Sequence, residues 1–229
     1  MTTLLTHILL DLDGTLVNSV DIFHKVDRKL FSQAGITIEQ HEFDQMQMKD
    51  GFKILIEILD KKSKLSIEEK NALMLNILAE SHETIKNKID WYEDVENFIT
   101  ESKKRGYELA VITRSTPKDF IAMEHRLPIR EMFNIVVHGE DTKGRHKPHP
   151  YPLLLASERL KVKPENCLYV GDHIDDLISA KEAGMKSCLI LRSHVPEKLI
   201  QYANFAVKSL NEIHPTILKN HPESFQPTL

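Results

Sequence analysis

Between residues 92 and 207 the chain alternates two kinds of stretch, and that alternation leaves few folds open. Short apolar runs at 108–113 (E-L-A-V-I-T), 134–138, 167–171, 187–191 and 205–207 have the length of strands buried on both faces. Helical stretches lie between them. One ends at Arg105 before Gly106, one opens at Pro117 and reaches about His125, and one starts at Pro150 and Pro152 and continues over 153–160. Two more follow, 175–183 stopped by Gly184 and a short one over 196–202. Strand and helix in turn imply right-handed crossovers, hence an α/β, Rossmann-like parallel sheet with helices on both faces.

The sheet has a first strand far upstream. Residues 7–17 read H-I-L-L-D-L-D-G-T-L-V, an apolar run that ends in two carboxylates, Asp11 and Asp13, and a glycine. From there to residue 92 the pattern is helical only, over 21–34, 39–48, 51–59 and 66–86. The last of these opens on Ser66, Glu68 and Glu69, a cap with first-turn acids. These helices predict a small all-helical domain over 18–87, hinged near 17–19 and 87–92, beside an α/β core made of 1–17 and 88–229. Packing of the same helices directly on the sheet is the alternative. Pro215, Pro222 and Pro227 predict a tail that frays after Leu218.

Composition narrows the partners. The 30 basic and 34 acidic residues are spread along the 229, so no basic stripe marks a nucleic-acid surface. The first ten residues lack a basic segment, and no apolar run approaches the roughly 20 residues of a membrane span. A cytoplasmic protein is expected. Cys167 and Cys188 lie inside apolar strand-like runs and read as reduced core thiols. The twelve histidines lack the paired spacing of a zinc site, although His146 and His149 flank Lys147 closely enough to approach a ligand there. Met46, Met48, Phe52, Ile54 and Leu55 read as helical-domain core.

Four segments carry chemistry. In an extended chain Asp11 and Asp13 point the same way, and two such charges require a cation or a shared proton. Alone, D-x-D-G also describes an ordinary surface turn. Thr113, Arg114 and Ser115 end a strand ahead of a Pro-led helix, an anion-binding corner or a plain cap. Lys147, held by prolines in H-K-P-H-P-Y-P, is suited to an anion or is a solvated loop lysine. In G-D-H-I-D-D, Asp172, Asp175 and Asp176 form a hard-oxygen set suited to an octahedral cation, with Asp175 equally explained as a helix N-terminal acid. Residues 139–144 resemble a phosphate P-loop only faintly, because Arg145 and His146 stand where Lys and Ser or Thr belong.

In this order the segments resemble the motifs of the haloacid dehalogenase-like hydrolases, in the phosphatase branch with a helical cap that includes phosphoglycolate phosphatases and β-phosphoglucomutases. D-L-D-G-T-L at 11–16 matches the first motif letter for letter, Thr113 the second, K-P at 147–148 the third, and G-D-x-x-x-D at 171–176 the fourth. The resemblance implies a phosphatase acting on small phosphorylated metabolites. Asp11 would be the nucleophile, Asp13 the proton shuttle, and Lys147 the neutralising cation. Thr113 and the N–H groups of Leu12, Asp13 and Arg114 would hold phosphate oxygens. Magnesium would sit on Asp11, the Asp13 carbonyl and Asp172, with Asp176 orienting its waters. It implies a monomer or homodimer whose cap sets specificity, with Lys49, Lys53 and Arg114 either meeting a second anionic group or solvated.

The chain departs from the pattern in three places. His173 replaces a frequent Ser, Asn18 a frequent Asp, and Lys49 the first glycine of the cap G-x-G seen in relatives that act on phosphoglycolate. A phosphomutase would carry the same four motifs, and a non-catalytic regulatory protein would have lost one. Asp13 argues against the dehalogenase and phosphonate-cleaving branches.

Overall fold

The computed structural model describes residues 4–220. Six parallel strands form one sheet: β1 (His7–Leu10), β2 (Glu108–Ile112), β3 (Ile135–Val137), β4 (Cys167–Gly171), β5 (Lys186–Ile190) and β6 (Phe205–Val207), in the order β3-β2-β1-β4-β5-β6. Beside the central strand β1 the order reverses, with β2 on one side and β4 on the other. In open α/β sheets such a switch point leaves a crevice at the carboxyl ends of the strands.

The strand side chains alternate between two cores, as a period of two requires. Ile8 and Leu10 of β1, Leu109 and Val111 of β2, and Leu168 and Val170 of β4 join one apolar cluster. On that face it is closed by α5 (Val95–Lys104), α6 (Pro117–Glu124) and α10 (Ile213–Asn220), through Phe98, Phe120 and Ile217 among others. Leu9, Ala110, Ile112 and Tyr169 face the other way, against α8 (Tyr151–Leu160) and α9 (Ile174–Glu182). Each fully buried Leu or Ile here contributes about 1.5–3 kcal/mol, so the central strands are the most firmly held part of the molecule.

The region between β1 and β2 contains α1 (Ser19–Gln33), α2 (Gln40–Met46), α3 (Gly51–Lys62) and α4 (Ile67–Lys88). Ser66 caps α4 and Glu69 closes the capping box. Asp50 caps α3 through the N–H groups of Phe52 and Lys53. The four helices share their own apolar cluster around Phe31, Phe43, Ile58 and Ile77. Ile22, Val26 and Ile85, at the base of α1 and α4, belong instead to the cluster under the sheet. The two chain crossings between these regions run side by side. Val17 pairs antiparallel with Trp91, and the N–H of Tyr92 donates to the Leu16 carbonyl at 3.0 Å.

Some local expectations need correction. The short helix expected over 196–202 is present as a 3-10 segment, Glu197–Tyr202, with Leu199 buried. A one-turn helix, α7 (Ile129–Met132), lies in a stretch given no structure. The chain does not fray at Leu218. Ile213 and Ile217, one helical turn apart, are both fully buried and hold α10 as far as Asn220. Pro215 is tolerated in the first turn, where its missing N–H has no intrahelical partner to lose. The rest of the expected fraying, with Pro222 and Pro227, lies outside the described residues. Phe52 and Met48 also leave the core expected of them: Phe52 is 48% exposed, and Met48 packs on the cluster around Ile174 and Leu177.

Candidate active site

At the carboxyl end of β1 the chain turns at Gly14, with φ of +79°. The turn brings Asp172 so close that a Cβ on Gly14 would stand 2.4 Å from its Oδ2. A side chain at Gly171 would likewise meet the Asp176 carboxyl at 2.4 Å. Two glycines thus allow acids from β1 and from the β4–α9 junction to share one small volume.

In that volume the carboxylate oxygens of Asp11, Asp172 and Asp176 lie within 4.8 Å of one another, all buried. Lys147, reaching in from the loop before α8, donates to Asp11 and also to Asp176 at 2.7 Å and the Tyr169 hydroxyl at 2.9 Å. Tyr169 in turn donates to Asp176 at 3.2 Å. Burial pushes the Asp11 carboxyl upward, Lys147 pulls it down, and the neighbouring carboxylates push it up again. Burial works against the Lys147 ammonium, but Asp11 and Asp176 outweigh it and keep the lysine charged. Lys147 and the imidazolium of His194, which pairs with Asp172, set two positive charges against three buried carboxylates, and a divalent cation on Asp11, Asp172 and Asp176 would relieve the remaining negative charge. The donor set is all oxygen, as a magnesium-type ion requires.

Asp13 is held differently. Its carboxylate lies outside that cluster and accepts from Ser19 Oγ at 2.8 Å, Ser115 Oγ at 2.9 Å and Thr113 Oγ1 at 3.1 Å. Thr113 is therefore turned to Asp13, and its Oγ1 also accepts from the Ser115 N–H. Leu12 buries its side chain in the core, so only its backbone is left for the site. Arg114 lines the cavity and reaches Asp175 at 3.3 Å.

The acid that completes the cluster has a partner of its own. Asp172 accepts from Thr15 Oγ1 at 2.8 Å and pairs with His194 Nε2 at 2.9 Å. His194 Nδ1 stands 3.7 Å from Asp21, an ion-pair rather than a hydrogen-bond distance. Burial disfavours the imidazolium, yet the carboxylates of Asp172 and Asp21 hold the His194 pKa up to about 9. Burial would raise Asp172, but His194 and Thr15 keep it low.

A cavity of about 320 Å3 opens above these groups, between the sheet edge and the helices of 18–87. Asp11, Asp13, Arg114, Lys147, Asp172 and Asp176 all line it. The helical region closes down on it through His173, whose Nε2 lies 2.9 Å from the Met46 carbonyl, and through the Ile174 N–H, which donates to the Gln47 carbonyl at 3.2 Å. Lys49 and Lys53 are not brought in: both are exposed, outside the lining, and Lys53 faces Asp50 at 3.8 Å. His146 and His149 also stay away, bonding to Thr142 and to the N–H of Tyr151.

Sequence reasoning gave no role to Thr15, Ser19, Tyr169 or His194, and took Ser115 only as part of a strand-end corner. Thr15 stands inside the first motif and Ser115 two residues after Thr113, and that position was the available signal. Nothing in the sequence ties His194 or Tyr169 to a carboxylate.

Two carboxylates at a strand end, a buried lysine and a third acid thus meet at a sheet switch point, an arrangement able to hold a cation beside an anion. A family model described as haloacid dehalogenase-like hydrolase matches residues 8–190. A phosphoglycolate phosphatase of Colwellia psychrerythraea is 34% identical over 189 residues, 79% of this chain and 81% of that one. The pyrophosphatase PpaX of Bacillus cereus is 29% identical over 185 residues, 80% of this chain and 82% of that one. A haloacid dehalogenase-like protein of unknown function from Agrobacterium tumefaciens superposes with a TM-score of 0.83 at 19% identity, over 94% of this chain and 99% of that one. The chain belongs to the haloacid dehalogenase-like hydrolase family, and within it to the phosphatases.

Proposed function

We propose that the enzyme hydrolyses small phosphorylated metabolites through an aspartyl-phosphate on Asp11, with magnesium as cofactor. The observation that carries the reading is Asp11 itself: its carboxylate lines the cavity, touches Lys147 and shares the acidic cluster with Asp172 and Asp176. Magnesium, held by Asp11, Asp172 and Asp176 with the Asp13 carbonyl, would supply neutralising charge for the phosphoryl oxygens.

Asp11 attacks phosphorus, so that a carboxylate–phosphorus bond forms as the ester bond breaks. Asp13, steadied by Ser19, Thr113 and Ser115, gives its proton to the departing alkoxide. Water then attacks phosphorus, its proton passes to Asp13, and Asp11 is released with inorganic phosphate. Lys147 offsets the charge gathered on Asp11 and the phosphoryl group. Thr113 contributes by orienting Asp13, and the N–H groups of Leu12, Asp13 and Arg114 are left to receive phosphate oxygens.

Residues 18–87 act as a cap on the core of 1–17 and 88–229, opening about the paired crossings at Val17 and Trp91. Closure excludes water, and the His173 contact to Met46 supports this reading. Lys49 and Lys53 have no part in it, because neither reaches the cavity. We place the enzyme in the cytoplasm, as a monomer or homodimer acting on small molecules rather than on nucleic acid or membrane. The two buried free thiols, each pushed up to about 12 by burial, fit a reducing compartment.

The test is phosphate release from p-nitrophenyl phosphate with magnesium. Wild type should turn over, Asp11→Asn should not, and full activity in Asp11→Asn would refute the covalent route. Isomerisation of a sugar phosphate without phosphate release would reassign the enzyme as a mutase.

A further inference from the structure

The cap contains a second cavity of about 270 Å3 that the phosphoryl chemistry does not use. It lies between α1, α3 and α4, and Phe23 and His82 line both it and the active-site cavity. Its walls are apolar, with Phe52, Leu55, Met74, Ile77 and Leu78 around Phe23. Three polar groups interrupt that surface, of which His82 has a partner in Asp119 at 3.5 Å. Asp27 is only 4% exposed and Ser81 2%. Among the described residues Ser81 Oγ has no hydrogen-bond partner, and burial alone acts on Asp27, with no cation beside it to offset the cost.

An unpaired carboxyl and an unpaired hydroxyl are costly to bury, and such a pair needs a ligand or water to complete it. Position favours the substrate. Phe23 and Asp27 are four residues apart on α1, hence on one face and about one helical turn, 5.4 Å, from each other. A molecule that leaves its phosphate at Asp11 and passes Phe23 therefore brings its far end to Asp27.

We propose that this cavity is the subsite for the alcohol half of the substrate, and that the substrate class is a phosphomonoester whose apolar linker ends in a cationic amine paired with Asp27 and hydrogen-bonded by Ser81. A carboxylate at that end would find no lysine to receive it, because neither Lys49 nor Lys53 lines either cavity. This inference rests on the phosphatase reading above.

The experiment, run at pH 8 so that Asp27 is ionised, compares aminobutyl phosphate with pentyl phosphate, near-isosteric esters that differ in the charged end, with p-nitrophenyl phosphate as reference. A charge-assisted pair predicts kcat/KM about tenfold or more higher for the amine in wild type. The preference should fall to near parity in Asp27→Asn and shrink several-fold in Ser81→Ala. Should Asp27→Asn fail to fold, Ser81→Ala carries the comparison. Turnover of p-nitrophenyl phosphate with no preference between the alkyl esters overturns the subsite and leaves the phosphatase reading intact. If no ester is hydrolysed, the phosphatase reading fails. Calorimetric titration of both alkyl esters into wild-type protein then decides the subsite, with tighter binding of the amine supporting it and equal or absent binding ending it.

Discussion

Replacing Asp27 with Asn should make the fold less sensitive to alkali, by an amount that the burial of this carboxyl sets. In the folded protein burial raises it from 3.8 to about 7, whereas in the unfolded chain it returns to about 3.9. Between these values the native state keeps a proton that the unfolded state releases, so stability falls as pH rises, by about 1.36 kcal/mol per unit. The contribution is complete below the unfolded value and gone above the folded one. Over the whole window it amounts to about 4 kcal/mol, of which about 2.5 kcal/mol falls between pH 5 and pH 8. Asn keeps the shape and does not titrate. Urea unfolding of both proteins at the two pH values gives the comparison, with equal m-values as the check that the unfolded states match. The stability difference should move by about 2.5 kcal/mol in favour of Asn as pH rises. A difference constant to within about 0.5 kcal/mol would mean that Asp27 is solvated in the native state, and the reasoning from burial would be wrong.

Other perturbations probe other parts of the structure. Lys147→Met leaves Asp11 and Asp176 buried without their ammonium; turnover should vanish and stability at neutral pH drop by about 3–5 kcal/mol, measured by denaturant unfolding. Arg192 holds Asp94 with two hydrogen bonds of 2.8 and 2.9 Å, donates to the Thr15 carbonyl and lies over Tyr92. Arg192→Ala should therefore cost about 3 kcal/mol or more, visible as a lowered Tm. Removing the contact between His173 and the Met46 carbonyl with His173→Ala should raise KM by up to about tenfold, since one hydrogen bond is worth about 0.5–1.5 kcal/mol, and should speed amide exchange at residues 47–51. Chelation should abolish phosphate release from p-nitrophenyl phosphate and added magnesium restore it; activity that survives exhaustive chelation would contradict the cation site.

The acid pair shows how far sequence reasoning reaches. Asp11 and Asp13 follow an apolar strand, and Gly14 follows them, so their place at a strand end was legible from local pattern. Their division of labour was not. Asp11 turns to Lys147 and the acidic cluster, Asp13 to three hydroxyls, and apart from Ser19 the partners come from segments a hundred or more residues away. Lys49 and Lys53 mark the opposite case: charge in the right stretch of sequence, but exposed in the loop before α3 and on its first turn, outside the cavity lining.

What the chain determines locally is therefore the alternation of strand and helix, the helical block at 18–87, and the four motif segments, because periodicity and turn chemistry act over a few residues. Only the packed structure decides which acids share a cation-sized volume, that His194 and Tyr169 serve them, and that Asp27 and Ser81 face an apolar space without partners among the described residues. Burial and proximity are set by contacts between distant segments, and those contacts have no local signature.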